Sequence, residues 1–265
     1  TDAAGNVSSK SSALSITIDT TAPDVPTSLA TSSSTTSDST PTITGNAEAD
    51  SKVTLFIDSS TLGTTTADSK GAFSFTPSSA ISDGTYSIKA TATDAAGNVS
   101  SKSSALSITI DTTAPDAPTS LTNTSDENDS TPTFEGTAEP NSKVTLNIYS
   151  GSTIVSTATT TADSSGNFSV TTSSALDDGQ YSVKLTSTDA AGNVSSKSSA
   201  ISITIDTTAP DAPTSLATSA TTTSDSTPTI TGNAEANSTI TLKEGGDVIG
   251  TGTADSRGNF SITLT

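Results

Sequence analysis

The sequence contains no cysteine, histidine, methionine or tryptophan. Without thiols there is no disulfide framework and no thiol nucleophile. Without cysteine or histidine there is no soft-ligand zinc, haem or iron–sulfur centre, and no imidazole general base. Positive charge is scarce as well. Ten Lys and Arg stand against 28 Asp and Glu in 265 residues, a formal charge of −18, which argues against nucleic acid as a partner. No apolar run approaches the roughly 20 residues of a membrane helix, so no membrane insertion is expected in this segment. With three Tyr and six Phe, an aromatic platform for carbohydrate is not expected either. Large aliphatic and aromatic side chains are few: Leu, Ile, Val and Phe number 45, about 17%. Together with the negative charge, that composition is shared by disordered chains.

What is present decides against disorder. There are 51 Ser and 56 Thr, about 40% of the chain, and they recur in order. Residues 1–24, TDAAGNVSSKSSALSITIDTTAPD, recur unchanged at 93–116, and again at 188–211 with Ile201 in place of Leu106. The offsets of 92 and 95 residues are those of whole domains, too long for a solenoid turn of roughly 20–50 residues. They also set aside a flat, threonine-studded ice-binding solenoid. Cutting before each Pro-Asp gives complete repeats at 23–114 and 115–209. Residues 1–22 then read as the C-terminal strand remnant of a preceding repeat, and 210–265 as the N-terminal part of a further one. An internal stretch of a longer array is expected.

Within a repeat the hydrophobic pattern has period two and is bounded by turn residues, the signature of strands. Val53, Leu55 and Ile57 alternate with polar or outward positions, as do Tyr86, Ile88, Ala90 and Ala92, and Leu106, Ile108 and Ile110. Shorter strands surround Leu29, Ile43, 64–66 and 73–75. Thr, Val and Ile favour this pleated geometry, and no segment carries a helical stripe. Asp68-Ser69-Lys70-Gly71 reads as a tight turn with its Gly at positive φ, repeated at 163–166 and 255–258. Length differences between repeats fall only at 29–41 and 55–73, both expected loops. The fold class is therefore all-β: tandem immunoglobulin-like seven-stranded β-sandwiches in an elongated rod. Asp83-Gly84-Thr85-Tyr86 matches the tyrosine corner of such sandwiches, with a plain core tyrosine as the alternative. About fifteen large apolar residues per repeat make a thin core that needs support from neighbouring repeats or a metal.

Threading strands A to G puts the B–C loop (Glu48, Asp50), the D–E turn (Asp68) and the F–G loop (Asp94, Asn98) at the end where the preceding linker enters. Asp38 and Asp83 lie at the opposite end, facing the following linker at 111–116. Each junction thus gathers carboxylates and carbonyls almost without Lys or Arg. Calcium accepts six to eight oxygens at flexible geometry and suits such loops better than octahedral magnesium. Asp and Asn are equally at home in turns because they bond their own backbone, with no metal involved. No EF-hand loop or glycine-rich nonapeptide occurs, and both explanations stand.

The combination of D-x-T-A-P-x-x-P linkers, T-x-T-G-x-A-E-x-x-x-x-V, A-D-x-x-G-x-F, D-G-x-Y and T-D-A-A-G-N-x-S resembles bacterial immunoglobulin-like repeats. Such repeats build the stalks of large surface adhesins, many exported by type I secretion. The resemblance covers essentially the whole chain. It implies an extracellular extender on the bacterial surface, whose junctions are stiffened by calcium. The ligands it implies are the linker Asp19, Asp111 and Asp206, the B–C Glu48, Glu139 and Glu235, and the F–G Asp94 and Asp189. Asp68, Asp163 and Asp255 follow as weaker candidates. Asp50 is Asn141 and Asn237 in the other repeats, so a ligand there would vary in charge. Folding without oxidation fits export of an unfolded chain.

Catalysis finds little support. Ser-Lys pairs such as Ser101-Lys102 fall on exposed loops as solvated charge, and the N-x-S sequons reflect loop composition. Three functional readings remain: a structural spacer that carries an adhesive domain outward, a binding module gripping glycan or host protein through its loops, and a linker array of a secreted polysaccharide-degrading enzyme. Near-identical loops in successive repeats favour the spacer. Each repeat would add about 40 Å, from strands of roughly seven residues at about 3.3 Å each plus loops. Its partners would be the neighbouring repeats and calcium; the adhesive target is not encoded here.

Overall fold

The computed structural model describes residues 1–218 and 221–264, and every regular element among them is a strand. The first complete repeat holds β1 (Thr27–Ala30), β2 (Thr35–Thr36), β3 (Ile43–Asn46), β4 (Lys52–Ile57), β5 (Ser60–Thr66), β6 (Ala72–Phe75), β7 (Gly84–Thr93) and β8 (Leu106–Ile110). They form two sheets, β1-β3-β6 and β2-β8-β7-β4-β5. The seven strands that the alternation predicts are all present. The eighth, β2, is a two-residue strand that pairs parallel to β8, too short to leave a periodic signal. Val53 and Leu55 of β4 face Ala92 and Ala90 of β7 in register. With Ile43, Ile88, Ile108, Ile110 and Phe73 they make the core between the sheets. Period-two alternation does what it must: Lys52, between these buried positions and the preceding loop, is exposed.

The second repeat follows the same plan with β9 (Thr119–Asn123), β10 (Thr133–Thr137), β11 (Lys143–Ser150), β12 (Thr153–Thr161), β13 (Asn167–Thr171), β14 (Gly179–Thr188) and β15 (Ile201–Ile205). Its sheets are β13-β10-β9 and β12-β11-β14-β15. The remaining elements are β16 (Thr214–Thr218), β17 (Thr229–Asn233), β18 (Thr239–Glu244), β19 (Asp247–Thr253) and β20 (Asn259–Thr263). They form a three-stranded sheet β16-β17-β20 and a hairpin β18-β19 over a small core of Ile240, Ala254, Phe260 and Ile262.

Threonine does structural work on the outer faces. Hydroxyl pairs bridge neighbouring strands at Thr133–Thr171 (2.8 Å), Thr85–Thr109 (2.9 Å) and Thr229–Thr263 (3.0 Å). Such cross-strand pairs let a chain poor in large apolar residues still favour sheet. A second recurring device is a glycine under an aromatic ring. A Cβ built on Gly45, Gly136 or Gly232 would lie 2.6, 2.7 and 2.7 Å from Cζ of Phe73, Phe168 and Phe260, respectively. The ring edge fills the space where a side chain on the directly paired glycine of the neighbouring strand would have stood.

The tyrosine corner is real: the Tyr86 hydroxyl donates to the carbonyl of Ser82 at 3.0 Å. The D–E turns carry their glycines at positive φ, 85° at Gly71, 86° at Gly166 and 81° at Gly258. Residues 1–22 hold no strand, although 1–18 repeat the sequence of 93–110. Leu14, Ile16 and Ile18 are more than three-quarters exposed, whereas their counterparts Leu106, Ile108 and Ile110 form β8 against β7. A strand exists only where a neighbour satisfies its backbone groups.

The chain divides into two compact units that do not follow the sequence repeats. One comprises Thr1–Thr124, Thr133–Ser173 and Tyr181–Ser202, the other Ser125–Pro132, Ser174–Gln180 and Ile203–Thr265. The linker after the first repeat lies in the first unit, and the linker after the second lies in the second.

Candidate junction site

The linker at 111–116 is fastened to the repeat that precedes it. The Asp111 N–H donates to Thr36 O at 3.0 Å, which extends the β2–β8 pairing by one residue. Asp83, from the D-G-x-Y turn, then takes both following threonines. Its Oδ1 accepts from the N–H and hydroxyl of Thr112 (3.1 and 2.8 Å), and its Oδ2 from the hydroxyl of Thr113 (3.0 Å). The Thr112 hydroxyl is the largest influence holding the Asp83 carboxyl below the usual carboxylate range. The second unit repeats the clamp: Asp178 accepts from the N–H and hydroxyl of Thr207 (2.8 and 2.7 Å) and the hydroxyl of Thr208 (2.6 Å). Its carboxyl is likewise lowered, with the Thr208 hydroxyl as the leading cause. The placement of Asp83 toward the following linker agrees with the strand threading.

The following repeat holds the same linker from its other side. Asn193 Nδ2 donates to the carbonyl of Asp111 at 2.7 Å and to Asp189 Oδ2 at 2.8 Å. The Ser187 hydroxyl donates to Asp116 O at 3.0 Å, and the Ser37 N–H to Ala191 O at 3.1 Å. One repeat earlier, Asn98 Nδ2 donates to Asp19 O at 3.1 Å and to Asp94 Oδ2 at 2.8 Å.

Most of the acidic residues singled out in the sequence serve their own backbone. Asp94 and Asp189 close the F–G loop, each Oδ1 accepting the N–H of Asn98 (2.8 Å) or Asn193 (2.9 Å). The Asn98 carboxamide leads in lowering the Asp94 carboxyl. At Asp189 partial burial works to raise the carboxyl, and the Asn193 carboxamide with the loop N–H groups outweighs it, so the result is again lowered. Asp68, Asp163 and Asp255 each staple the D–E turn, for example Asp163 Oδ1 to the N–H groups of Ser165 (2.8 Å) and Asn167 (2.9 Å). Asp19, Asp111 and Asp206 each accept from the N–H two residues on, at Thr21, Thr113 and Thr208. This is turn chemistry. Asp50, Asn141 and Asn237 stand at φ of 60°, 62° and 65°. Left-handed backbone favours either residue there, which accounts for their exchange between repeats.

The glutamates differ. Glu48, Glu139 and Glu235 cap the B–C turn through their carbonyls, which accept from Ser51, Ser142 and Ser238. Glu139 and the linker Asp116 line one cavity of about 340 Å³, and Glu235 and Asp211 line its counterpart, also about 340 Å³. Among the described residues no three Asp or Glu are gathered in a group that could hold a metal ion. The junction that forms is built from one carboxylate clamp and one carboxamide bridge. The bridging asparagines were not among the residues singled out by function, although each closes a D-A-A-G-N run that occurs three times in the sequence.

Comparison with known proteins adds the following. A family profile described as bacterial Ig-like domain matches residues 24–112 and 117–207, and one described as bacterial Ig domain matches 209–265. No curated protein sequence matches the chain. Among solved structures, it is similar to a tetra-tandem repeat in the extending region of a large adhesion protein. The identity is 24% and the TM-score 0.32, over 92% of this chain and 66% of that one. It is also similar to a segment of a 1.5-MDa bacterial ice-binding adhesin, with 23% identity and a TM-score of 0.33, over 87% of this chain and 82% of that one.

Proposed function

Since the chain belongs to the bacterial Ig-like domains, we propose that it is a non-catalytic extender, a run of repeats that spans distance in an adhesin at the bacterial surface. The observation that carries this reading is the two-sided hold on the linker: Asp83 fastens it to the repeat before, Asn193 to the repeat after. A tether has no use for such fastening; a spacer of set length does.

We further propose that calcium adds stiffness at these junctions. The donors on offer are carboxylates and main-chain carbonyls, the oxygen chemistry calcium takes. At the second junction Asp111, Glu139 and Asp189 would have to draw together around it, since they do not stand as one group here, with Asp19, Glu48 and Asp94 doing so at the first and Asp206 and Glu235 at the third. Asp68, Asp163 and Asp255 would contribute from the D–E turns. Asp111 Oδ2 and the Glu139 carboxylate accept no hydrogen bond among the described residues and are available. The Asp189 carboxylate would exchange its bond from Asn193 for the ion. Bound calcium would offset the mutual repulsion of these carboxylates.

Small-angle scattering of the whole chain in EDTA and then in millimolar calcium tests both statements. An extender has a maximum dimension that grows by about 40 Å per repeat; a globular scattering curve would refute it. Calcium should raise the melting temperature and the maximum dimension, and Asp111→Ala should diminish both responses. If neither responds to calcium in the parent chain, the carboxylates are turn residues only.

A further inference from the structure

The Asn193 carboxamide, on the second repeat, reaches back to the anchored start of the linker. We propose that it is a latch that fixes the angle between the first and second complete repeats without any metal ion. The proposal takes its purpose from the extender reading, and it concerns the calcium-free chain.

The connection runs through fixed points. Asp111 is anchored to the first repeat on its amide side by Thr36, and the next two residues are held by Asp83. The Asp111 carbonyl therefore has little freedom. Asn193 donates to it at 2.7 Å, while the same nitrogen donates to Asp189 Oδ2 at 2.8 Å, and the Asn193 N–H donates to Asp189 Oδ1 at 2.9 Å. The carboxamide is thus held in its own loop before it reaches across. The Ser37 N–H to Ala191 O bond runs between the same two repeats from a different loop. Two contacts at separate points resist bending about either one.

The residue type follows from the acceptors. Two oxygens face one group, so that group must be a donor with two hydrogens, which a carboxamide supplies and a carboxylate or hydroxyl does not. Asn98 meets the linker carbonyl of Asp19 in the same way, so the motif forms this bridge at both linkers that precede a complete repeat.

The test uses the whole chain in EDTA. Because no native cysteine exists, Ser59→Cys and Ser152→Cys, both in exposed turns of successive repeats, can carry spin labels for dipolar distance measurement. The parent gives a single narrow distance distribution. Asn193→Ala broadens it at least twofold. Asn98→Ala, which removes the same loop closure one repeat earlier, leaves it unchanged. A within-repeat pair at Ser152 and Ser164 stays narrow in Asn193→Ala. A broad distribution in the parent, no broadening in Asn193→Ala, equal broadening in Asn98→Ala, or broadening of the within-repeat pair would each overturn the latch. None of these results bears on the overall length that decides the extender reading.

Discussion

Replacing Gly136 by alanine places a methyl group where the Phe168 ring now lies. The new Cβ would stand 2.7 Å from Phe168 Cζ, 3.1 Å from its Cε1 and 2.8 Å from the carbonyl oxygen of Thr119. The ring is 5% exposed and cannot swing outward without giving up its burial, and the carbonyl belongs to the paired backbone of β9. Alanine in place of glycine by itself favours folding by about 0.4–1 kcal/mol through the unfolded chain. Overpacking of a filled site costs about 1–3 kcal/mol. The second effect wins, leaving a net loss of roughly 1–2 kcal/mol. In a domain of this size that lowers the midpoint of its transition by about 4–8 °C per kcal/mol. Scanning calorimetry of the whole chain, compared with the equivalent Gly45→Ala, reads the shift in each repeat separately. Pairing Gly136→Ala with Phe168→Leu should recover about 1 kcal/mol relative to the sum of the single changes, because only the ring contact is relieved. An unchanged or raised midpoint in Gly136→Ala would show that the ring does not occupy the glycine's place.

Two other outcomes can be checked on the same material. Tyr86→Phe removes the bond to Ser82 O, whose residue is exposed and can take water instead, so urea denaturation should register a loss of about 0.5–1.5 kcal/mol in the first repeat; no loss would dismiss the tyrosine corner as decoration. The carboxyls of Asp83 and Asp178 are depressed in the folded chain, so their contribution is complete above the ordinary carboxylate pKa and disappears as pH falls through the folded value. Carboxyl NMR titration should place both midpoints below about 3.9, with the exchange protection of the Thr112 and Thr207 amides lost over the same interval; midpoints at or above that value would dissolve the clamp.

Much of the architecture is legible in the sequence because period-two alternation and repeated turn motifs are strong local signals. Val53, Leu55, Ile88 and Ile108 are buried where alternation puts them, and Gly71, Gly166 and Gly258 take positive φ as their turns require. What stayed hidden depends on partners. β2 owes its existence to β8, its parallel partner. The junction was legible in position but not in wiring. Threading brings Asp83 to the following linker, but the N–H groups that Asp94, Asp163 and Asp255 accept within their own turns follow from local backbone geometry that spacing does not spell out. The bridging role of Asn193 needs the tertiary placement of Asp111, which spacing alone does not contain.

The linker clamp also has a genetic reading. Asn98 and Asp111 sit in one identical run, 93–116, which 188–211 duplicates with a single substitution. Exchange between two such runs removes or adds one whole repeat and leaves a complete joint at the seam, with the aspartate that receives the threonines upstream and the asparagine that reaches back downstream. The molecule can therefore change reach in whole repeats while every surviving joint keeps the same parts. Selection acting on distance need never redesign a hinge.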